Sequence, residues 1–531
     1  MDSRLQLATS TSGDSGLRRI PEDFLLGAAA AAYQIEGAFD EDGRGPSIWD
    51  TFSRVPGAIV GGDTGDVACD HYHRYKDDVA LMKKLGLETY RFSSSWARVC
   101  PDGVTPNPKG LDFYKRLVDE LLEAGILPWL TLYHWDLPQA LQDVGGWPER
   151  DVAYRFRDYA MVMYEALGDS VEVWTTLNEP WCSSFLSYTG GEHAPGHHSL
   201  KEGMLASHHL LLGHGLAIQS LREADPELNL GLTLNFTVAD PVNPDSPEDQ
   251  RAARLVDGQA NRWFLDPLFK GYYPKDIVQE FAEIDPGAGT AFADAIHPGD
   301  MEIIGTPFPT LGVNYYQPSV VAASFEPPAE LGERLGVVEL DPAPNGGPAL
   351  GRKAQNPMPA SRGFVSPDPL LPRTAQNWNI DPLMFKDLLL RVHREYTKEA
   401  GTALYVTENG AAFNDTVTET PEGPVVRDPE RTAFLKLHLG AVLDAREEGA
   451  DVNGYMYWSL MDNYEWAWGY DKRFGIVYVD YETQQRIVKE SGWAYAKIIK
   501  DRTLDVLPDA GLVVRQDSLL EGRTKSMRKA N

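Results

Sequence analysis

Eight short runs of apolar and β-branched residues recur along the chain, each followed by a helical pattern. They are Phe24–Ala30, Thr89–Ser95, Leu127–His134, Val171–Asn178, Asn229–Asn235, Thr310–Tyr316, Ala403–Glu408 and Val452–Ser459. Most are continuously apolar rather than alternating, as expected of parallel strands covered on both faces. Between them, Tyr75, Val79, Met82 and the residues around Leu85 form an amphipathic stripe at helical spacing. Asp381-Pro382 and Asp428-Pro429 each read as an N-cap followed by proline at the first helical position. Eight alternating strand–helix units predict an α/β protein: a (β/α)8 TIM barrel, one domain with long loops on its catalytic face.

The pattern weakens at three places. Residues 1–19 are expected to be a disordered N-terminal segment, 20–500 the barrel domain and 501–531 a C-terminal extension with a basic end (Arg523, Lys525, Arg528, Lys529). Residues 322–372 hold ten prolines and little periodicity. They follow the sixth strand, so as a loop they belong to the catalytic face, as a wall of substrate entry or as a surface insertion. No internal repeat or second domain is visible.

Composition narrows the function classes. A net charge of −29 over 531 residues argues against nucleic acid or an anionic membrane as partner. The same excess serves solubility. Three cysteines, Cys69, Cys100 and Cys182, make no disulfide framework and suggest a reducing compartment. The first twenty residues lack a continuous apolar segment of the signal-peptide type, and no run reaches the length of a membrane span. A soluble, cytoplasmic protein is expected.

Candidate chemistry lies at the ends of two strands. Thr176-Leu177-Asn178-Glu179-Pro180 and Tyr405-Val406-Thr407-Glu408-Asn409-Gly410 each place a glutamate at the end of an apolar run. A carboxylate at the C-terminal end of a barrel strand faces the mouth, where TIM barrels do their chemistry. Two such carboxylates can serve as the acid and the nucleophile of a retaining glycosidase. They are far apart in sequence, so only the fold brings them together.

The phrases around them resemble glycoside hydrolase family 1, the β-glucosidase and β-galactosidase family, over roughly residues 20–500, and its bacterial β-glucosidase branch in particular. The matching phrases are FLLGAAAAAYQIEGA (24–38), YRFSSSWAR (90–98), YHWDLPQAL (133–141), TLNEPW (176–181), NYY (314–316), VTENG (406–410) and WSLMDNYEWAWGYDKRFG (458–475). They occur in the family's order. The resemblance implies a retaining β-glucosidase acting on terminal β-D-glucosyl residues of cellobiose, short cello-oligosaccharides and aryl glucosides, with side activity on β-galactosides and β-fucosides.

It also implies roles. Glu408 would be the nucleophile and Glu179 the acid/base, with Arg91 and Tyr316 keeping Glu408 ionised. Asn178 would bond the 2-hydroxyl, and His134 and Trp466 the 3-hydroxyl. Gln34 and Glu465 would grip the hydroxyls farthest from the scissile bond. Trp458 would pack under the ring and Phe474 would wall the 6-position. Trp181 and Trp378 would contact the aglycone. No cofactor and no metal are implied, and His71, His73, His193, His197, His198, His208 and His209 lack a metal-ligand pattern.

Some positions depart from the family pattern. Asn377 stands where a glycine usually precedes Trp378, Met384 replaces a common glycine, Tyr464 replaces a phenylalanine, and Ser93-Ser94-Ser95 replaces SIS. These bear on aglycone preference, not on the carboxylates. Two alternatives compete with this reading. A 6-phospho-β-glucosidase would use Lys472, but Glu465 would repel the phosphate and Phe474 lacks a hydroxyl for it. A non-catalytic sugar-binding barrel would lose one glutamate, and both are present.

Overall fold

The computed structural model describes residues 17–324, 354–361, 363–366 and 371–505. Eight parallel strands form the barrel: β1 (Leu25–Ala29), β2 (Thr89–Ser93), β3 (Leu127–Tyr133), β4 (Val173–Asn178), β5 (Asn229–Pro241), β6 (Thr310–Ala322), β7 (Ala403–Asn409) and β8 (Val452–Trp458). Each expected run overlaps its strand, and β5, β6 and β7 run on past the expected ends at Asn235, Tyr316 and Glu408. The hydrogen-bonded order is β5-β4-β3-β2-β1-β8-β7-β6, and β6 pairs back to β5, so the sheet closes on itself. Closure leaves no free edge. Every residue of β2 and β4 is buried, and the polar side chains among them, Arg91, Ser93 and Asn178, are hydrogen-bonded.

Helices cover the outside. His71–Leu85 buries the expected stripe of Tyr75, Val79, Met82 and Leu85. Pro382–Val392 starts as read: Asp381 Oδ1 accepts from the amides of Leu383 and Met384 at 3.0 and 3.1 Å. Pro429–Glu447 also starts at its proline, but Asp428 makes no capping bond. Its carboxylate instead binds Arg431 and the backbone and hydroxyl of Ser491. A cation in the helix's own first turn and the start of a second helix take the carboxylate that would have capped it.

Leu17–Arg19, expected in the N-terminal segment, pairs antiparallel with Thr503–Asp505, expected in the C-terminal extension. The ordered chain therefore extends past both expected limits. The basic C-terminal end and most of the N-terminal segment lie outside the described residues. Of the long loop after β6, the described part returns to the barrel: Phe364–Ser366 pairs antiparallel with the end of β6, and Gln259 bonds Pro357 O and Ala360 N.

A buried ionic cluster anchors the loop after β8. Lys489 Nζ donates to Asp462 Oδ1 at 2.7 Å and to Asp415 Oδ2, while Arg431 and Arg473 bind the same carboxylates. Removing one charge from such a cluster strands the others in low dielectric. Lys489→Met is expected to lower unfolding stability by about 3–5 kcal/mol, measured by urea denaturation. A loss below about 1 kcal/mol would mean that the cluster relaxes to solvent.

Candidate active site

Glu179 and Glu408 line one cavity at the C-terminal mouth of the barrel. Glu408 is the penultimate residue of β7, and Gly410 follows it because a Cβ there would sit 1.7 Å from Trp458 O. β4 ends at Asn178, and Glu179 adopts a left-handed backbone with φ of +48°. Non-glycine residues hold that conformation only where the surroundings impose it. Here the Glu179 amide is tied to Thr233 O on β5 at 2.9 Å. Trp135 and Trp466, also on the cavity wall, have φ of +76° and +50°.

The two carboxylates have different partners. Glu408 Oε1 accepts from Arg91 Nη1 at 2.6 Å, and Oε2 accepts from the Tyr316 hydroxyl at 2.7 Å. Glu179 Oε1 accepts from Asn314 Nδ2 at 2.6 Å, and Oε2 from the Cys182 thiol at 3.1 Å. One glutamate faces a cation; the other faces neutral donors. Burial, then the charge of Glu408, pushes Glu179 up to about 8. Burial also raises Glu408, with Arg91 and Tyr316 opposing it. The sequence reading foresaw the cation but not this desolvation, so Arg91 offsets a rise rather than producing a strongly acidic group. Glu465 is likewise raised to about 8, by burial and then by Glu408. Of these three carboxyls, only Glu408 meets a guanidinium, which favours its charged form over those of Glu179 and Glu465.

Amide orientations fix the proton positions. Asn178 Oδ1 accepts from Arg91 Nη2 at 2.6 Å and from Asn314 Nδ2 at 3.2 Å. Its Nδ2 must then donate to His134 Nε2, 3.1 Å away. Burial, then Arg91, drives the His134 pKa well down, so the ring is neutral and carries its proton on Nδ1. That Nδ1 is buried without a hydrogen-bond partner, as are Glu465 Oε2, Gln34 Oε1 and Trp181 Nε1. Buried polar atoms are normally paired, so three such atoms on residues lining one cavity, with Gln34 behind it, suit a polyhydroxylated ligand.

The structure gathers most of the expected residues. His134, Glu179, Trp181, Tyr316, Trp378, Glu408, Trp458, Glu465, Trp466 and Phe474 line the cavity. Arg91, Asn178 and Gln34 are buried but outside its lining. Arg91 and Asn178 act from behind through the bonds above. Gln34 Nε2 is engaged by Asn463 Oδ1 and Tyr464 O, which leaves its carbonyl oxygen. Asn377 has φ of +64°, which explains why glycine suits that position and why asparagine is tolerated. Lys472 is outside the lining: it pairs with Asp471 and lies over Trp468. Sequence reasoning missed Asn314 as a partner of Glu179, although NYY contained it. It also missed Cys182, Glu192 and the loop residues Pro357, Met358 and Val365 on the wall. Cys182 is three residues past Glu179 and had been read only for its redox meaning.

A family model for glycosyl hydrolase family 1 matches residues 17–504. The chain belongs to glycosyl hydrolase family 1. It is 46% identical over 496 residues to the thermostable β-glucosidase B of Thermobispora bispora, covering 93% of this chain and 92% of that one. It is 44% identical over 495 residues to the bifunctional β-D-glucosidase/β-D-fucosidase of Bifidobacterium breve, covering 91% and 98%. Among solved structures, the psychrophilic β-glucosidase of Micrococcus antarcticus matches with a TM-score of 0.83 and 48% identity, over 91% of this chain and 98% of that one. In this family member, as in the sequence reading, the barrel mouth holds both glutamates. Among the described residues, no helix is long and apolar enough to cross a membrane.

Proposed function

We propose that this protein is a retaining β-glucosidase that removes terminal non-reducing β-D-glucosyl units from cellobiose, short cello-oligosaccharides and aryl β-glucosides. The unequal environments of the two glutamates carry this reading. In the first step the Glu408 carboxylate attacks the anomeric carbon and the bond to the leaving oxygen breaks. Glu179 gives that oxygen its proton, and a glycosyl ester remains on Glu408. Ester formation removes the Glu408 charge, one of the two causes that raise Glu179. Glu179 becomes more acidic and can take a proton from the incoming water. Water attacks the anomeric carbon, the ester bond breaks, and the sugar leaves with its configuration retained.

Several features support the substrate class. Trp458 stacks with His134 at 5.8 Å between ring centroids and offers a flat apolar face. Phe474 packs at 6.0 Å from both Tyr316 and Trp378, an apolar wall suited to the 6-position. Such a wall tolerates loss of the 6-hydroxyl, in keeping with side activity on β-fucosides. The cavity lining contains four glutamates and, among the described residues, no lysine or arginine. A sugar phosphate would meet no cation in that lining and would face the Glu408 carboxyl. Three free, buried cysteines suit a cytoplasmic setting.

The deciding assay compares 4-nitrophenyl β-D-glucoside with its 6-phosphate at neutral pH. Fast release from the neutral sugar is expected. Release from the phosphate alone would overturn the reading of Glu465. Activity should depend on pH as a bell, with apparent values that belong to the coupled pair. Activity requires Glu179 protonated, so the alkaline limb should fall as pH rises through about 8. Tyr316→Phe removes one donor to Glu408, so the acid limb should move to higher pH while the alkaline limb moves less. A profile displaced only on the alkaline side would assign Tyr316 to the wrong carboxylate.

A further inference from the structure

Glu192 is a cavity-lining carboxylate that the mechanism above does not use. It follows Gly191, which has φ of +70° and ends the helical segment Cys182–Gly190. Its charge is felt at Cys182, the thiol that donates to Glu179 Oε2. It lines the same cavity as Glu179 and Trp181, and the helical segment that leads to it starts directly after them, which places it on the leaving-group side. The next residue, His193, is wedged between Trp49 and Trp135 at 5.2 and 5.1 Å, which holds this stretch of wall in place.

We propose that Glu192 is a specificity-determining group of the outer subsite, which favours leaving groups that carry hydroxyls, a second sugar unit, over apolar aryl groups. The proposal rests on the β-glucosidase reading. Among the described residues, Glu192 has no hydrogen-bond or ion-pair partner, and burial alone pushes it up to about 7. Near neutrality it is present both as acid and as carboxylate, and either form lacks a partner in the wall. The lining offers it no cation. A sugar hydroxyl can donate to the carboxylate or accept from the acid. An aryl ring can do neither, and it leaves a desolvated polar group unpaired. Sites that hydrogen-bond a substrate hydroxyl discriminate strongly against analogues that lack it. Trp181 and Trp378 offer flat surfaces to either leaving group, so they cannot make this distinction.

The test is the ratio of kcat/KM for cellobiose to that for 4-nitrophenyl β-D-glucoside, in the unaltered enzyme, E192Q and E192L. The ratio is expected to fall about ten-fold or more in E192L. In E192Q, which keeps hydrogen-bonding atoms, it should fall by less. Release of nitrophenol reports a folded active site, and E192A carries the same criterion if E192L is insoluble. A ratio that stays within two-fold in both apolar variants overturns the proposal. Failure of the unaltered enzyme to cleave either substrate instead overturns the β-glucosidase reading, and the proposal with it.

Discussion

Glu408→Gly should lower turnover of 4-nitrophenyl β-D-glucoside by a factor on the order of 10⁴ or more, because no other group in the cavity can form the glycosyl ester. The fold should survive. Arg91 keeps its bond to Asn178 Oδ1, and Tyr316 keeps its packing against Trp378 and Phe474. The variant opens space beside the anomeric carbon on the face that Glu408 occupied. Azide or formate should enter it, use the guanidinium of Arg91 as an anion partner, and restore release of nitrophenol. With azide the product should be the α-glucosyl azide, identified by its anomeric NMR coupling. A β-azide from this variant would reverse the roles of the two glutamates.

Glu179→Ala should behave differently, because it removes the proton and leaves the nucleophile intact. General acid catalysis contributes roughly 10²–10⁴ in rate. That contribution matters only where the leaving oxygen needs a proton. Cellobiose hydrolysis should therefore fall through most of that range. Nitrophenolate leaves without protonation, so glycosylation from the aryl glucoside should change far less and hydrolysis of the ester should become limiting. Added azide should then accelerate turnover and give the β-glucosyl azide. The alkaline limb of the pH profile should disappear, since Glu179 is the group whose raised pKa sets it. An equal loss on cellobiose and on the aryl glucoside would refute the acid role.

Much of this architecture was legible in the order of residues. All eight strands overlap runs marked by apolar, β-branched stretches, since strands covered on both faces admit few polar side chains, although β5, β6 and β7 run on past the marked ends. Both catalytic candidates stood at strand ends in phrases whose neighbours now have physical roles. Gly410 is required by a backbone contact, and Asn178 relays between Arg91 and His134. Asp428 makes no cap because Arg431, three residues on, and Ser491, from a distant helix start that a local rule cannot see, take its carboxylate. Lys472 stands where 6-phospho-β-glucosidases carry a lysine, yet its ammonium turns to Asp471 and Trp468.

The sequence by itself determined the kind of protein: strand count, closed-barrel class, the two glutamates and most of the cavity's aromatic wall. Strand count and barrel class rest on hydrophobic period; the roles of the glutamates and the aromatic wall rest on the family phrases that surround them. Only the tertiary structure decided how the charge is shared. Burial raises Glu179, Glu408 and Glu465 together, and a guanidinium from β2 meets just one of them. Desolvation and through-space charge depend on which strands become neighbours, and neither leaves a mark on the local sequence. The same holds for Glu192, an unremarkable glutamate in the sequence that becomes an unpaired carboxyl beside the leaving group once the barrel closes.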